Sequence, residues 1–140
     1  MAPLHYLDTN VLIALIEPVA ARTAGQADFI AKFDRGEFFA VASELALSEC
    51  LVKPLADGNA HTAAAYHDLF SASSSLLVMG VTRAILVAAA NLRARSRLKL
   101  PDAIHLATAT EVECIAFVTN DRDFKAAEAP FDIVRWDQLD

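Results

Sequence analysis

The stretch Leu4-His5-Tyr6-Leu7-Asp8-Thr9-Asn10-Val11-Leu12-Ile13-Ala14-Leu15-Ile16 decides the fold. A short apolar run, Leu4 to Leu7, meets the polar triplet Asp8-Thr9-Asn10, and a second apolar run continues to Ile16. The first run has the length of a buried strand, and the second has the length and Leu/Ala content of a helix start. Asp8 therefore falls where a strand ends and a helix begins. In open α/β sheets, ligands bind outside that carboxyl end of a strand. A carboxylate wedged between two apolar elements is costly unless a cation meets it. Asp8 reads as a metal ligand, with helix capping as the alternative use of the same side chain.

Outward from this stretch, strand-like and helix-like segments alternate. Pro18 breaks the first helix, and a second spans Thr23 to Arg35, with Phe29, Ile30 and Phe33 on one face and Gly36 as a C-terminal cap. Phe38 to Ala42 is a short strand, and Ser43 caps a helix from Glu44 to about Lys53 that Pro54 helps end. Asp57-Gly58 is a turn, Asn59 caps a helix through Phe70, and the serines at 71 and 73–75 break it. Leu76 to Val81 is a third strand, and Thr82 caps a helix running to about Ser96. Pro101 sits in the first turn of the next helix, as prolines favour. Cys114 to Thr119 is a fourth strand, Asn120 to Asp123 a turn, and Phe131 to Trp136 a fifth strand. The strands are continuous apolar runs rather than alternating ones. That pattern predicts a parallel sheet covered by helices on both faces.

The 140 residues suit one domain, 1–140, with no internal boundary. Hydrophobic content is 55%, yet no run approaches the ~18 apolar residues of a membrane helix. The N-terminal stretch carries Asp8, Asn10 and Glu17 and no basic flank, which argues against a secretion signal and for a cytoplasmic protein. Cys50 and Cys114 lack ligand spacing and read as reduced, buried thiols. A net charge of −6 is the wrong sign for a nucleic-acid binder, unless the acids gather at a cation site and the bases elsewhere.

The acids do fall at unusual places. Asp8 ends the first strand and Asp121 follows the fourth; Asp102 lies in the first turn of a helix, and Glu49 interrupts the apolar segment Leu45 to Val52. Each has an ordinary reading: a cap for Asp8, a helix-dipole partner for Asp102, a solvent-facing acid for Glu49, turn residues for Asp121 and Asp123. Brought together, four carboxylates repel, and a divalent cation is their simplest partner. Mg²⁺ and Mn²⁺ favour oxygen ligands. His105, three residues after Asp102, shares its helix face and reads as a packed or hydrogen-bonded histidine rather than a ligand.

The segments LDTNVLI (7–13), SEC (48–50), PDAIHLATA (101–109) and VTNDRDF (118–124), in this order and across essentially the whole chain, resemble the PIN-domain nucleases. Within them, the chain is similar to the VapC-type toxin ribonucleases of toxin–antitoxin pairs. The resemblance implies a PIN-like three-layer α/β fold with a five-stranded parallel sheet in order 3-2-1-4-5. It also implies Mg²⁺- or Mn²⁺-dependent cleavage of single-stranded or loop RNA. Asp8, Glu49, Asp102 and Asp121 match the family's acidic quartet. Asp8 and Asp102 are expected as direct ligands, and Asp121 as a ligand directly or through water. Glu49 is expected to hold a metal-bound water or a second ion. Asp123 is assigned to an outer shell, and Thr9, Asn10, Thr119 and Asn120 to orienting waters or ligands.

A basic run, Arg93, Arg95, Arg97 and Lys99, leads into the Pro101-Asp102 turn. Arg93, Arg97 and Lys99 are candidate RNA contacts, while cations at a helix C-terminus also complement its dipole. The helices Thr23–Arg35, Glu44–Lys53 and Asn59–Phe70 carry more apolar residues than one sheet face needs. Such surface marks a protein interface, and the resemblance to the toxin ribonucleases implies that it serves a homodimer and a groove for a cognate antitoxin protein. Promoter DNA would be met only through that antitoxin. The competing reading is a catalytically silent PIN-like module that binds RNA or protein. A phosphoryl-accepting domain with Asp8 as nucleophile fits less well, since position 10 is Asn rather than a second acid.

Overall fold

A computed structural model describes residues 2–18, 20–72, 76–124 and 129–140. Its elements are β1 (Leu4–Leu7), α1 (Thr9–Ile16), α2 (Ala24–Asp34), β2 (Phe39–Ser43), α3 (Glu44–Ala56) and α4 (Ala60–Ala72). There follow β3 (Leu76–Met79), α5 (Arg83–Arg95), α6 (Leu100–Glu111), β4 (Ala116–Thr119) and β5 (Asp132–Arg135), closed by a 3-10 turn at Trp136–Gln138. The five strands form one sheet in the order β3-β2-β1-β4-β5, and every pairing is parallel. The expected three-layer α/β architecture and strand order are therefore those of the structure.

Local chemistry starts each helix. Asp8 caps α1, and Thr23 and Gln26 form a reciprocal capping box on α2. Ser43 and Thr82 cap α3 and α5, and Pro101 sits in the first turn of α6, where its missing N–H costs nothing.

Alternation along the strands divides the core between two faces. Tyr6, Val41 and Phe117 point to the side covered by α5 and α6, where Ile85, Ala89, Leu106 and Ala107 meet them. Leu7, Ala40, Ala42 and Val118 point to the other side, where Val11, Leu12, Ala46, Cys50 and Tyr66 bury them. Both faces are dry, which is why the strands read as unbroken apolar runs. The order in which strands are added to the sheet reverses at β1, the central strand, with β2 on one side and β4 on the other. The carboxyl ends of β1 and β4 thus flank a crevice at the topological switch point.

The structure corrects some boundaries. Pro54 does not end α3: it lies inside the helix, which continues to Ala56. Its ring costs one backbone bond to the preceding turn, but Asp57 N still reaches Lys53 O and Asn59 N reaches Pro54 O. Termination belongs to Gly58, whose φ of +67° turns the backbone left-handed. Helix α4 includes Ser71 and runs to Ala72, while the serines at 73–75 lie outside the described residues. Strand β5 stops at Arg135, because Trp136 leaves the ladder to bury its indole in the 3-10 turn. Of the three helices expected to expose apolar surface, α3 does so most clearly, with Val52 and Leu55 about two-thirds exposed; Leu86 and Val87 on α5 were not anticipated.

Candidate active site at the switch point

Asp8 is placed by the end of β1, where its backbone N–H still donates to Val118 O of the neighbouring β4 at 2.9 Å. Its carboxylate is nearly fully buried. Oδ1 accepts from Thr9 N at 2.9 Å, and Oδ2 from Thr119 Oγ1 at 2.7 Å and Asn10 Nδ2 at 3.4 Å. The capping role and the site role thus coexist in one side chain. Burial pushes the Asp8 carboxyl above its ordinary value; the nearby His105 and the bonds from Thr119 and Thr9 oppose that rise.

Thr119 works in both directions, since its hydroxyl donates to Asp8 and accepts from Asp121 N at 2.9 Å. Asp121 Oδ1 in turn accepts from Asp123 N at 2.8 Å, which curls the loop after β4. That curl brings carboxylate oxygens of Asp102, Asp121 and Asp123 within 4.8 Å of one another. Asp123, which the family resemblance assigns to an outer shell, has a carboxylate oxygen in this same cluster. Asp102, in the first turn of α6, has its carboxyl pushed up to about 6, first by burial and then by the charges of Asp121 and Asp8, with Glu49 adding to them. All four acids of the sequence motif therefore share one electrostatic neighbourhood.

Glu49 reaches the site from α3. Its Oε1 accepts from Thr9 Oγ1 at 2.8 Å and meets His105 Nε2 at 2.6 Å. Burial raises the Glu49 carboxyl, but the bonds from His105 and Thr9 outweigh it and hold the group below its ordinary value. Their surroundings thus push the two carboxyls in opposite directions, Glu49 down and Asp102 up. Asn10 and Asn120 serve the backbone: Asn10 Oδ1 accepts from Asn120 N at 3.0 Å, and Asn120 Oδ1 from Asp137 N at 2.9 Å. They tie the carboxyl ends of β1, β4 and β5 together.

Among the described residues, every Lys or Arg ion pair lies on surface acids, at Asp28, Glu37, Asp57 and Asp137. Among the described residues, His105, 3.9 Å from Asp8 Oδ1, is the one group within ion-pair distance of the switch-point acids that can carry positive charge. Three carboxylates offer the oxygen ligands that Mg²⁺ or Mn²⁺ favour.

The basic run stands at the entrance to α6. Arg93 Nη1 donates to Leu98 O at 2.7 Å and so braces the turn between α5 and α6. Arg97 is exposed, and Lys99, also exposed, occupies the N-cap position of α6, three residues before Asp102. Sequence reasoning did not single out Tyr6, whose hydroxyl meets His105 Nδ1 at 2.6 Å. The available signal was a phenol in a buried strand, which needs a partner for its O–H.

Comparison with known proteins places this geometry. A model of the PIN domain matches residues 5–130. No curated protein sequence matches the chain. Among solved structures, a toxin–antitoxin complex from Klebsiella pneumoniae is similar at 24% identity and a TM-score of 0.64, over 87% of this chain and 91% of that one. VapBC2 from Rickettsia felis, bound to a DNA fragment from its promoter, is 16% identical with a TM-score of 0.70, over 95% and 98%. VapC20 of Mycobacterium tuberculosis, described as a sarcin-ricin loop cleaving toxin, is 20% identical with a TM-score of 0.70, over 88% and 94%. At these identities the likeness is one of fold.

Proposed function

The chain belongs to the PIN domain family, and we propose that it is a Mg²⁺- or Mn²⁺-dependent endoribonuclease that hydrolyses single-stranded or loop RNA as the toxin of a toxin–antitoxin pair. The observation that carries this reading is the gathering of Asp102, Asp121 and Asp123 beside Asp8 and Glu49 at the switch point. The similarity to a toxin–antitoxin complex and to a toxin described as cleaving the sarcin-ricin loop supports the same direction.

Asp102, Asp121 and Asp123 are the residues that would hold the cation, with Asp8 behind them and Glu49 at the side. When bound, the divalent cation supplies charge neutralisation at the scissile phosphate and a lowered pKa for water. The chain's own groups do the rest. Thr119 holds Asp8 and the loop carrying Asp121 in one arrangement, so the acids are preorganised before substrate arrives. Glu49 stays ionised, and its Oε2, outside the bonds made by Thr9 and His105, is the oxygen available to take a proton from an attacking water. Arg97 and Lys99 offer phosphate contacts next to Asp102, while Arg93 positions the turn that presents them. The exposed Val52 and Leu55 of α3 mark the surface for a second copy or the antitoxin.

Brief induction in a bacterial host, followed by mapping of RNA 5′ ends, tests the proposal. Wild type should create discrete new ends in single-stranded or loop regions, and Asp102→Asn should create none. Identical end profiles for the two would favour the silent binding module.

A further inference from the structure

His105 lies one helical turn after Asp102 on α6 and is 1% exposed. Both of its ring nitrogens are engaged. Nδ1 meets the Tyr6 hydroxyl at 2.6 Å and Nε2 meets Glu49 Oε1 at 2.6 Å. Tyr6 is itself fully buried, its ring stacked on Phe117 with centroids 5.0 Å apart. The phenol therefore cannot turn away without disturbing the core. A neutral imidazole has one N–H and one bare nitrogen. An ionised carboxylate can only accept, so Nε2 carries a proton toward Glu49; in the neutral ring Nδ1 then accepts from the Tyr6 O–H. The result is a continuous string: Tyr6 O–H to His105 Nδ1, and His105 Nε2–H to Glu49 Oε1. Thr9 Oγ1, arriving from α1, donates to the same Glu49 oxygen at 2.8 Å.

A glutamate on a helix ordinarily has three freely rotating side-chain torsions. Here one oxygen is pinned by two donors from two different helices, and one of those donors is held in place by a core tyrosine. We propose that Tyr6 and His105 form a buried positioning strut that locks Glu49 Oε1 and leaves Oε2 to serve the acidic site. His105 is a positioning residue in this scheme. The claim that the strut matters for cleavage rests on the nuclease reading above, but the strut itself does not.

The test separates the two. In chelated wild-type protein, the ¹⁵N shifts of the His105 ring should show a protonated Nε2. A bare Nε2 overturns the strut whether or not the protein cuts RNA. His105→Leu keeps approximate volume without an N–H, whereas His105→Gln retains an amide N–H near the Nε2 position. His105→Leu should slow Mn²⁺-dependent RNA cleavage by about 10–100-fold. Its melting temperature in chelator should fall, because the buried Tyr6 hydroxyl is left without its partner. His105→Gln should recover cleavage to within about tenfold of wild type. Wild-type behaviour of His105→Leu, or no advantage of Gln over Leu, overturns the positioning role, since packing alone favours Leu. Should His105→Leu fail to fold, Tyr6→Phe removes one hydroxyl from the far end of the string and must impair cleavage in the same direction; unchanged cleavage there overturns the proposal. If wild type neither cleaves nor responds to Mn²⁺, the nuclease reading fails and the positioning role falls with it, while the ¹⁵N shifts still judge the strut.

Discussion

Asp102 and Glu49 show how two carboxyls in one crevice are set apart by their neighbours. Asp102 has burial and other acids around it, whereas Glu49 has two donors. Asp102 folds with its carboxyl raised from 3.8 to about 6. Within that window the folded chain binds more protons than the open one, so stability falls as pH rises through it. The raised Asp8 acts in the same sense. Glu49, held below its ordinary value of 4.5, contributes stability that is present above that value and lost as pH falls through the folded one. In chelator, the Asp102 contribution should therefore make the melting temperature higher at pH 5.5 than at pH 7.5, by about 2–4 °C once solvent screening of a half-exposed group is allowed for. It acts against an opposing contribution from His5, whose imidazole burial holds below its ordinary value. Asp102→Asn should flatten that difference; an undiminished difference in the variant would assign it to other groups. A cation that binds only the folded state at about a hundred times its dissociation constant adds roughly 2.7 kcal/mol. Millimolar Mn²⁺ should thus raise the wild-type melting temperature by about 5–10 °C and Asp102→Asn by much less. Asp8, Asp102 and Asp121 could be picked out from sequence because strand ends and a helix start are visible as changes of pattern. Asp123 and Tyr6 could not be placed that way. One is brought in by a hydrogen-bonded curl, and the other by a contact across 99 positions of chain.

At the scale of elements, end signals of the N-terminal kind proved easier to read than stops. Thr23, Ser43 and Thr82 cap their helices because a short side-chain oxygen reaches the next free N–H, a purely local matter. Pro54 misleads because one lost backbone bond in a last turn is tolerated when the ring is buried and the following amides find partners. Gly25, in the first turn of α2, was unremarked in sequence. A Cβ there would lie 2.3 Å from the backbone oxygen of Asp140, in the segment where Thr23 Oγ1 donates to Leu139 O and Gln26 Nε2 to Trp136 O at 3.0 Å. Gly25→Ala must push that segment off α2. We expect a loss of about 1–3 kcal/mol, read by chemical denaturation. Gly36→Ala, strained by its φ of +71° but with nothing nearby, should cost less. The reverse order would mean that the segment after β5 does not pack on α2.

For the whole molecule, a parallel sheet with two dry faces leaves its chemistry to the strand ends, and the net charge of −6 conceals how charge is distributed. The acids meet at the switch point, while Arg97 and Lys99 stand at the entrance to α6. Neutral replacement of both should weaken binding of single-stranded RNA and reduce the salt slope by roughly 0.7 for each lost phosphate contact. An unchanged slope would leave these residues as a solvated helix entrance. Light scattering at micromolar concentration should give a dimer mass. Replacing the exposed Val52 and Leu55 with serine should reduce association with a second copy or antitoxin, with little change in melting temperature. Sequence reasoning anticipated apolar surface on three helices. The structure concentrates it on α3 because Phe29, Ile30 and Phe33 of α2, and Leu69 and Phe70 of α4, pack against the core. The central claim is that the switch-point acids make this fold a cation-dependent ribonuclease. Purified wild type and Asp102→Asn, incubated with single-stranded RNA in millimolar Mn²⁺ and in chelator beside a mock preparation, test it most directly. The account predicts cleavage by wild type in Mn²⁺ alone and none by the variant; cleavage that survives either chelator or Asp102→Asn would contradict it.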